Sequence, residues 1–146
     1  MDISIRQADE ITIEFVVDYC LRCDFKNYSK NEFRQLKKKY LRRLDTGTYW
    51  CFVAQIKARP VGYVDFEITS EYGNSHLWVC ELYVHEVLRG KGIGTALMNY
   101  AIKFARKKGF KEIFACTEND NIASKRVFKK TKYIPARIVY VRNLLK

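Results

Sequence analysis

Twelve residues constrain this chain more than any others: Val84-His85-Glu86-Val87-Leu88-Arg89-Gly90-Lys91-Gly92-Ile93-Gly94-Thr95. An apolar run from Leu77 to Val84 leads into them and reads as a buried strand. A helical pattern from Thr95 to Lys108 follows and is stopped by Gly109. Strand, glycine-rich turn and helix, in that order, aim several main-chain N–H groups and the positive end of a helix dipole at one point, which suits a phosphate. Three glycines in five residues leave no Cβ between the main chain and an anion. Arg89 and Lys91 add positive charge at the same turn, and arginine can hold a phosphate through two parallel hydrogen bonds. The turn reads as a cradle for a diphosphate.

Spacing decides which cradle. A P-loop needs Lys followed by Ser or Thr after its last glycine, but Gly94 is followed by Thr95-Ala96. The dinucleotide pattern G-x-G-x-x-G fails as well, because Gly90, Gly92 and Gly94 are spaced by single residues. The pattern present is Arg-x-x-Gly-x-Gly, carried by Arg89, Gly92 and Gly94, with Glu81-Leu82-Tyr83-Val84 ahead of it. This stretch resembles the coenzyme A pyrophosphate loop of the GNAT acetyltransferases. The resemblance implies that Arg89, Gly90, Lys91, Gly92, Ile93, Gly94 and Thr95 receive the diphosphate of acetyl-CoA.

The rest of the chain supplies the elements such a fold needs. Ile3 to Arg6 reads as a short strand, and residues 8–23 as a helix with Ile11, Phe15, Val16, Tyr19 and Cys20 on one face. Ser29 or Asn31 caps a second helix, whose apolar face carries Phe33, Leu36, Tyr40, Leu41 and Leu44 and which Gly47 ends. Tyr49 to Lys57 and Val61 to Thr69 form a hairpin around Ala58-Arg59-Pro60. In its second strand Val64, Phe66 and Ile68 form a core face, and Tyr63, Asp65 and Glu67 a polar one. After Gly109, Lys111 to Thr117 is a strand, Asn121 to Lys130 a short helix and Pro135 to Arg142 a last strand. The helix between the strands at 77–84 and 111–117 makes that pair parallel, through a right-handed crossover. The order β-α-α-β-β-β-α-β-α-β is similar to that of the GNAT fold over essentially the whole chain. It implies an α/β (α+β) domain spanning residues 1–146, with a mixed central sheet, an antiparallel meander, helices on both faces and splayed strands at the coenzyme A site.

The resemblance also assigns chemistry. Main-chain groups of Leu82 and Val84 would pair with the pantetheine arm along the splayed edge, with Tyr83 between them at the cofactor site; such an edge otherwise leaves N–H and C=O groups unpaired. Asn121 opens a helix that would lie beside coenzyme A, with Ser124 at the small-residue position. Family members place a tyrosine seven residues after that asparagine, near the thioester sulfur. Here the position is Phe128, and a phenyl ring cannot protonate a leaving thiolate. Acyl transfer needs the acceptor amine neutral. At pH 7 an amine of pKa ~10 is only about one part in a thousand neutral, so a general base helps. Glu81 is the carboxylate on the strand before the loop and the candidate base. Asp65 and Glu67 either join it in an acidic patch for a cationic amine or are solvated or paired with Lys and Arg. Cys80 is an alternative nucleophile but lacks a histidine partner at recognisable spacing.

Composition narrows the remaining choices. At 146 residues the chain forms one domain with room for a real core. No apolar run approaches the ~20 residues of a membrane helix, and Met1 to Arg6 carry no signal-peptide pattern. Five cysteines, an odd number mostly in apolar segments, fit reduced thiols in the cytoplasm. Cys20-x-x-Cys23 has no second pair and no nearby histidine, so no metal is expected. The net charge of +11 is concentrated between Lys26 and Arg43, where eight basic residues face the single acid Glu32. That run suits an acidic partner, but a solvated helix face reads the same way. The expectation is an acetyl-CoA-dependent N-acetyltransferase acting by direct attack in a ternary complex, as a monomer or homodimer, with no membrane partner. Its acceptor is a peptide or protein amine or a small polyamine-like amine. The alternative is a basic module of the same fold, catalytically weak, that binds nucleic acid or another acidic partner.

Overall fold

The structure, a computed structural model, describes residues 2–25, 27–71, 74–136 and 142. Its elements follow the periodicity of the sequence. They are β1 (Ser4–Gln7), α1 (Ile13–Asp24), α2 (Lys30–Leu44), β2 (Tyr49–Ile56), β3 (Arg59–Glu71), β4 (Asn74–Val84), α3 (Ile93–Lys107), β5 (Ile113–Ala115) and α4 (Ile122–Lys130). The last strand expected at 135–142 falls almost entirely outside the described residues; Pro135 and Ala136 are in no regular element. The five strands form one sheet in sequence order, β1-β2-β3-β4-β5. Its first four strands pair antiparallel, and β4 pairs with β5 in parallel across the α3 crossover.

Local chemistry corrects several expected boundaries. Residues 8–12 form a turn, not helix. Asp9 Oδ1 accepts hydrogen bonds from the amides of Ile11 and Thr12, and Thr12 Oγ1 accepts from the Asp9 amide. Side chains that capture nearby amides in this way compete with the helix ladder, so α1 starts at Ile13. Ile11 is 77% exposed as a result, and the buried face is Ile13, Val16, Val17 and Leu21. Ser29, not Asn31, caps α2, in a reciprocal capping box with Glu32. The hairpin turns at Lys57-Ala58, both with positive φ (48° and 62°), so β3 begins at Arg59 and accommodates Pro60.

The sheet is buried on both sides. Toward α3, Phe52, Val64, Phe66, Leu77, Leu97, Met98 and Ala101 form one core cluster. Toward α1 and α2, Ile13, Val16, Tyr49, Cys51, Val53 and Tyr63 form a second. The expected polar face of β3 is therefore corrected. Tyr63 and Asp65 are 0% and 2% exposed, because the first two helices cover that face. A period-2 pattern cannot distinguish a polar face in water from one closed under helices.

Candidate active site

Three features of β4 converge at one end of the sheet. The first is the end of its outer ladder. β5 pairs only with Leu77, Val79 and the Trp78 between them, and among the described residues no strand borders Cys80–Val84 on that side. The second is a register shift against β3 between Asp65 and Phe66, where Cys80 is the extra residue of a bulge. The third is the alternation of the inner ladder. The His85 amide donates to the Val61 carbonyl at 2.9 Å. Antiparallel pairs alternate between hydrogen-bonded and free, so the two pairs Gly62–Val84 and Val64–Leu82 are the free ones. The N–H and C=O groups of Leu82 and Val84 turn away from β3, toward the open edge. The Val84 carbonyl in fact accepts a hydrogen bond from Arg89 Nε at 3.0 Å. Gly62 permits the strands to meet here, since a Cβ would lie 2.6 Å from the Tyr83 carbonyl oxygen.

The glycine-rich turn lies at the end of that edge. After a short 3-10 turn at Glu86–Leu88, Gly90 and Gly92 adopt φ of 77° and 85°, and Gly92 is the N-cap of α3. Left-handed backbone costs an L side chain roughly 1–2 kcal/mol, which accounts for glycine at both positions. No side chain caps α3, unlike α2 and α4. The first hydrogen bond into the helix runs from the Ala96 amide to the Gly92 carbonyl at 2.9 Å. The N–H groups of Ile93, Gly94 and Thr95 thus belong to the orphan donors of a first turn. Ile93 is buried, and a Cβ on Gly94 would lie 3.5 Å from Val127, 3.7 Å from Val84 and 3.9 Å from Leu82. Side chains of the open edge, the loop helix and α4 therefore pack together. Arg89 is exposed and folds back on β4, with its guanidinium carbon 6.0 Å from the Tyr83 ring centroid. Lys91 is exposed beside it.

Asn121 is the N-cap of α4, its side chain accepting from the Ser124 amide at 3.0 Å. Phe128 packs against the first core, its ring 5.3 Å from that of Tyr133, whose hydroxyl donates to Met98 Sδ at 3.5 Å.

The other face of β4 carries the carboxylates. Glu81 lies opposite Asp65 in the ladder, and partial burial raises its carboxyl above the ordinary range. Its charge reaches Tyr19, Cys20, Tyr63 and Asp65. Beside it Tyr19 stacks on Tyr83, with ring centroids 3.7 Å apart, and Phe15 and Tyr63 complete an aromatic wall. Glu67 is paired with Arg43 at 2.7 Å. Asp65 is neither solvated nor directly ion-paired: its Oδ2 accepts from the Tyr49 hydroxyl at 2.6 Å, and burial pushes its pKa up to about 6. Burial also pushes the Cys80 thiol up to about 12, which leaves little thiolate for a nucleophile at neutral pH. The aromatic wall and the Tyr49–Asp65 pair carried no recognisable sequence motif. The alternation of Tyr49, Cys51 and Val53 opposite Tyr63 and Asp65 was the available signal.

Known proteins bear on this geometry. An uncharacterized N-acetyltransferase of Methanocaldococcus jannaschii is 32% identical over 97 residues, which is 63% of this chain and 42% of that protein. The chain thus spans about two fifths of that relative's length. Among solved structures, the aminoglycoside acetyltransferase AAC(6')-Iy, bound to a bisubstrate analog of coenzyme A and acetylneamine, superposes with a TM-score of 0.78. It shares 17% identity over 98% of this chain and 99% of the other. A transcriptional regulator from Bacillus halodurans reaches 0.82 at 19% identity, covering 98% and 100% of the two chains. At such identities the likeness is one of fold, and the fold is shared in full. The acetyltransferase (GNAT) family pattern matches residues 13–133, from the start of α1 through the glycine-rich turn to Tyr133, and the chain belongs to that family.

Proposed function

We propose that residues 1–146 act as one acetyltransferase domain that transfers the acetyl group of acetyl-CoA to a primary amine by direct attack in a ternary complex. The carrying observation is the stop of the β4–β5 ladder at Val79–Ala115, while β4 itself runs on to Val84 and the glycine turn beyond it. It leaves Leu82 and Val84, which flank Tyr83, with outward N–H and C=O groups. A pantetheine arm carries two amides, and that edge suits them. The first-turn amides of α3 at Ile93, Gly94 and Thr95, with Gly90, Lys91 and Gly92 before them, would hold the diphosphate. Arg89 would leave the Val84 carbonyl to do so as well. Asn121 and Ser124 flank the same end of the sheet from α4, which packs on α3.

Bound there, acetyl-CoA supplies an activated acyl carbon with a thiolate leaving group. This chain's own groups prepare the acceptor. Glu81 takes a proton from the ammonium, and its carboxyl, raised by partial burial, is a stronger base than a free carboxylate. The stacked Tyr19 and Tyr83 wall the space beside Glu81. Glu67 is paired with Arg43 and Asp65 is buried, so Glu81 is the carboxylate open to a cationic acceptor, of the polyamine or aminoglycoside kind. AAC(6')-Iy holds such an acceptor analogue on the same fold.

The test is acetyl-CoA turnover across diamines, polyamines, aminoglycosides and lysine peptides. A multiply charged amine should consume acetyl-CoA fastest. If no amine raises consumption above hydrolysis, the enzyme reading fails. One observation favours a second reading. Lys30, Arg34, Lys38 and Arg42 recur every four residues on α2, which has no buried residue. Among the described residues no acid pairs with these four. Binding of a DNA or RNA oligomer, lost at moderate salt and without any turnover, would support a binding module instead.

A further inference from the structure

One carboxylate at this site has no part in the reaction as described. Asp65 lies mid-strand in β3, 2% exposed, with Tyr49 on its Oδ2 at 2.6 Å. Its Oδ1 is also buried and has no hydrogen-bond partner among the described residues. A buried acceptor without a partner is destabilising, and more so when charged. Like charges directly opposed across a ladder are also destabilising, and Asp65 opposes Glu81. Nothing in the packing requires a carboxylate there, since the neighbours on that face include Tyr49, Cys51 and Tyr63.

The groups facing Asp65 come from every surrounding element. They are Tyr49 and Cys51 from β2, Tyr40 and Arg43 from α2, Cys20 from α1, Tyr63 from β3 itself, and Cys80 and Glu81 from β4. Arg43 is the cation among them; its charge favours the Asp65 carboxylate, but its direct contacts are with other groups. Its Nη2 lies 2.7 Å from Glu67 and its Cζ 3.9 Å above the Tyr49 ring. Cys20 is bonded within the same cluster, to the hydroxyls of Tyr40 and Tyr63 at 3.3 and 3.6 Å. Of these groups, Glu81 is the carboxylate directly opposite Asp65 in the ladder; it is exposed, and its charge raises the Asp65 carboxyl.

We propose that Asp65 acts on acetyl transfer through Glu81: the buried charge, opposed to Glu81 across the β3–β4 ladder, makes Glu81 a stronger acceptor for the proton of the incoming ammonium. Asp65 is thus a positioning residue, and its role rests on the reading of Glu81 as the base. Repulsion between the carboxylates is mutual, so the first proton given to the pair is held more tightly than either would hold it alone. In the step itself the ammonium proton passes to the Glu81 carboxylate, and the amine lone pair forms the C–N bond. The C–S bond breaks, its electron pair leaves on sulfur, and the nitrogen gives up its second proton to that thiolate or to water. Protonation of Glu81 removes the repulsion with Asp65, which favours the transfer.

The experiment is a ¹³C NMR titration of side-chain carboxyl carbons in the wild type and in Asp65→Asn, Glu81→Gln and Tyr49→Phe. Asp65→Asn should lower the Glu81 midpoint by about one pH unit, in the range typical of a neighbouring charge. Glu81→Gln should lower that of Asp65 in return. Tyr49→Phe removes the hydrogen bond that stabilises the Asp65 charge and should move its midpoint up. A Glu81 midpoint unmoved by Asp65→Asn overturns the proposal. Should that variant not fold, an Asp65 midpoint unmoved by Glu81→Gln does the same. The underlying base reading is tested separately. An unchanged kcat in Glu81→Gln overturns both, whereas a collapsed kcat with uncoupled midpoints overturns only the role of Asp65.

Discussion

Asp65 and Glu81 differ in what their burial predicts, although they face each other across one ladder. The Asp65 carboxyl is raised from 3.8 to about 6 by desolvation. A group whose pKa rises on folding favours the folded state below its unfolded value and loses that contribution as pH climbs through the folded one. Asp65 is therefore a stability cost above about pH 6 and close to neutral below about pH 4. Asp65→Asn should melt higher than wild type at pH 8, by an amount on the order of 2–3 kcal/mol. The advantage should fade toward pH 4, and a pH-independent difference in melting would contradict it. Glu81→Gln should act on rate instead. A lost general base reduces kcat by roughly 10²- to 10⁴-fold, while the Kd for acetyl-CoA should barely change. A raised KM with kcat intact would mean that Glu81 only attracts the cation. The residue types at these positions were legible in the sequence. Their opposite environments were not, because burial of Asp65 depends on α1 and α2 closing over it.

Among the elements, the loop and caps follow from local rules, so local substitutions test them. Gly92 is an N-cap at φ 85° with nothing within 4 Å of an added Cβ, whereas Gly94 has an ordinary φ and a neighbour at 3.5 Å. Gly92→Ala should therefore weaken acetyl-CoA binding through backbone strain of roughly 1–2 kcal/mol. Gly94→Ala should fold with little loss. Equal Kd values for acetyl-CoA in wild type and Gly92→Ala would sink the assignment of the cradle. At α2, Ser29 accepts from the Glu32 amide at 3.1 Å and the Glu32 carboxylate accepts from the Ser29 amide at 2.6 Å. Ser29→Ala should lower stability by about 1 kcal/mol in chemical denaturation. The capping signal Ser-x-x-Glu stood in the sequence, and so did Arg-x-x-Gly-x-Gly. The turn at Lys57-Ala58 did not: neither residue favours positive φ, and the adoption of 48° and 62° follows from strand pairing on both sides.

For the molecule as a whole, the binding prediction is a change in stability. A ligand that binds only the folded state at a hundred times its Kd stabilises it by about 2.7 kcal/mol. Acetyl-CoA should raise the melting temperature of the wild type accordingly. It should do so equally for Glu81→Gln, which leaves the loop and the outer edge of β4 untouched. Absence of a shift at millimolar acetyl-CoA would argue against the cofactor site. The net charge of +11 helps an anionic ligand approach, so the shift should shrink as salt screens it.

At this scale the division between sequence and tertiary structure is clear. Strand, glycine turn, helix and crossover were set by the chain itself, because periodicity, glycine placement and capping act within a few residues of one another. Nothing local announced that β5 would pair with only Leu77 to Val79, or that Cys80 would bulge and leave Leu82 and Val84 facing an open edge. Nor did the alternation of β3 reveal that its polar face lies under α1 and α2. These features depend on contacts between segments far apart in sequence. Whether a strand edge is open, or a carboxylate dry, is decided only when distant elements pack against it.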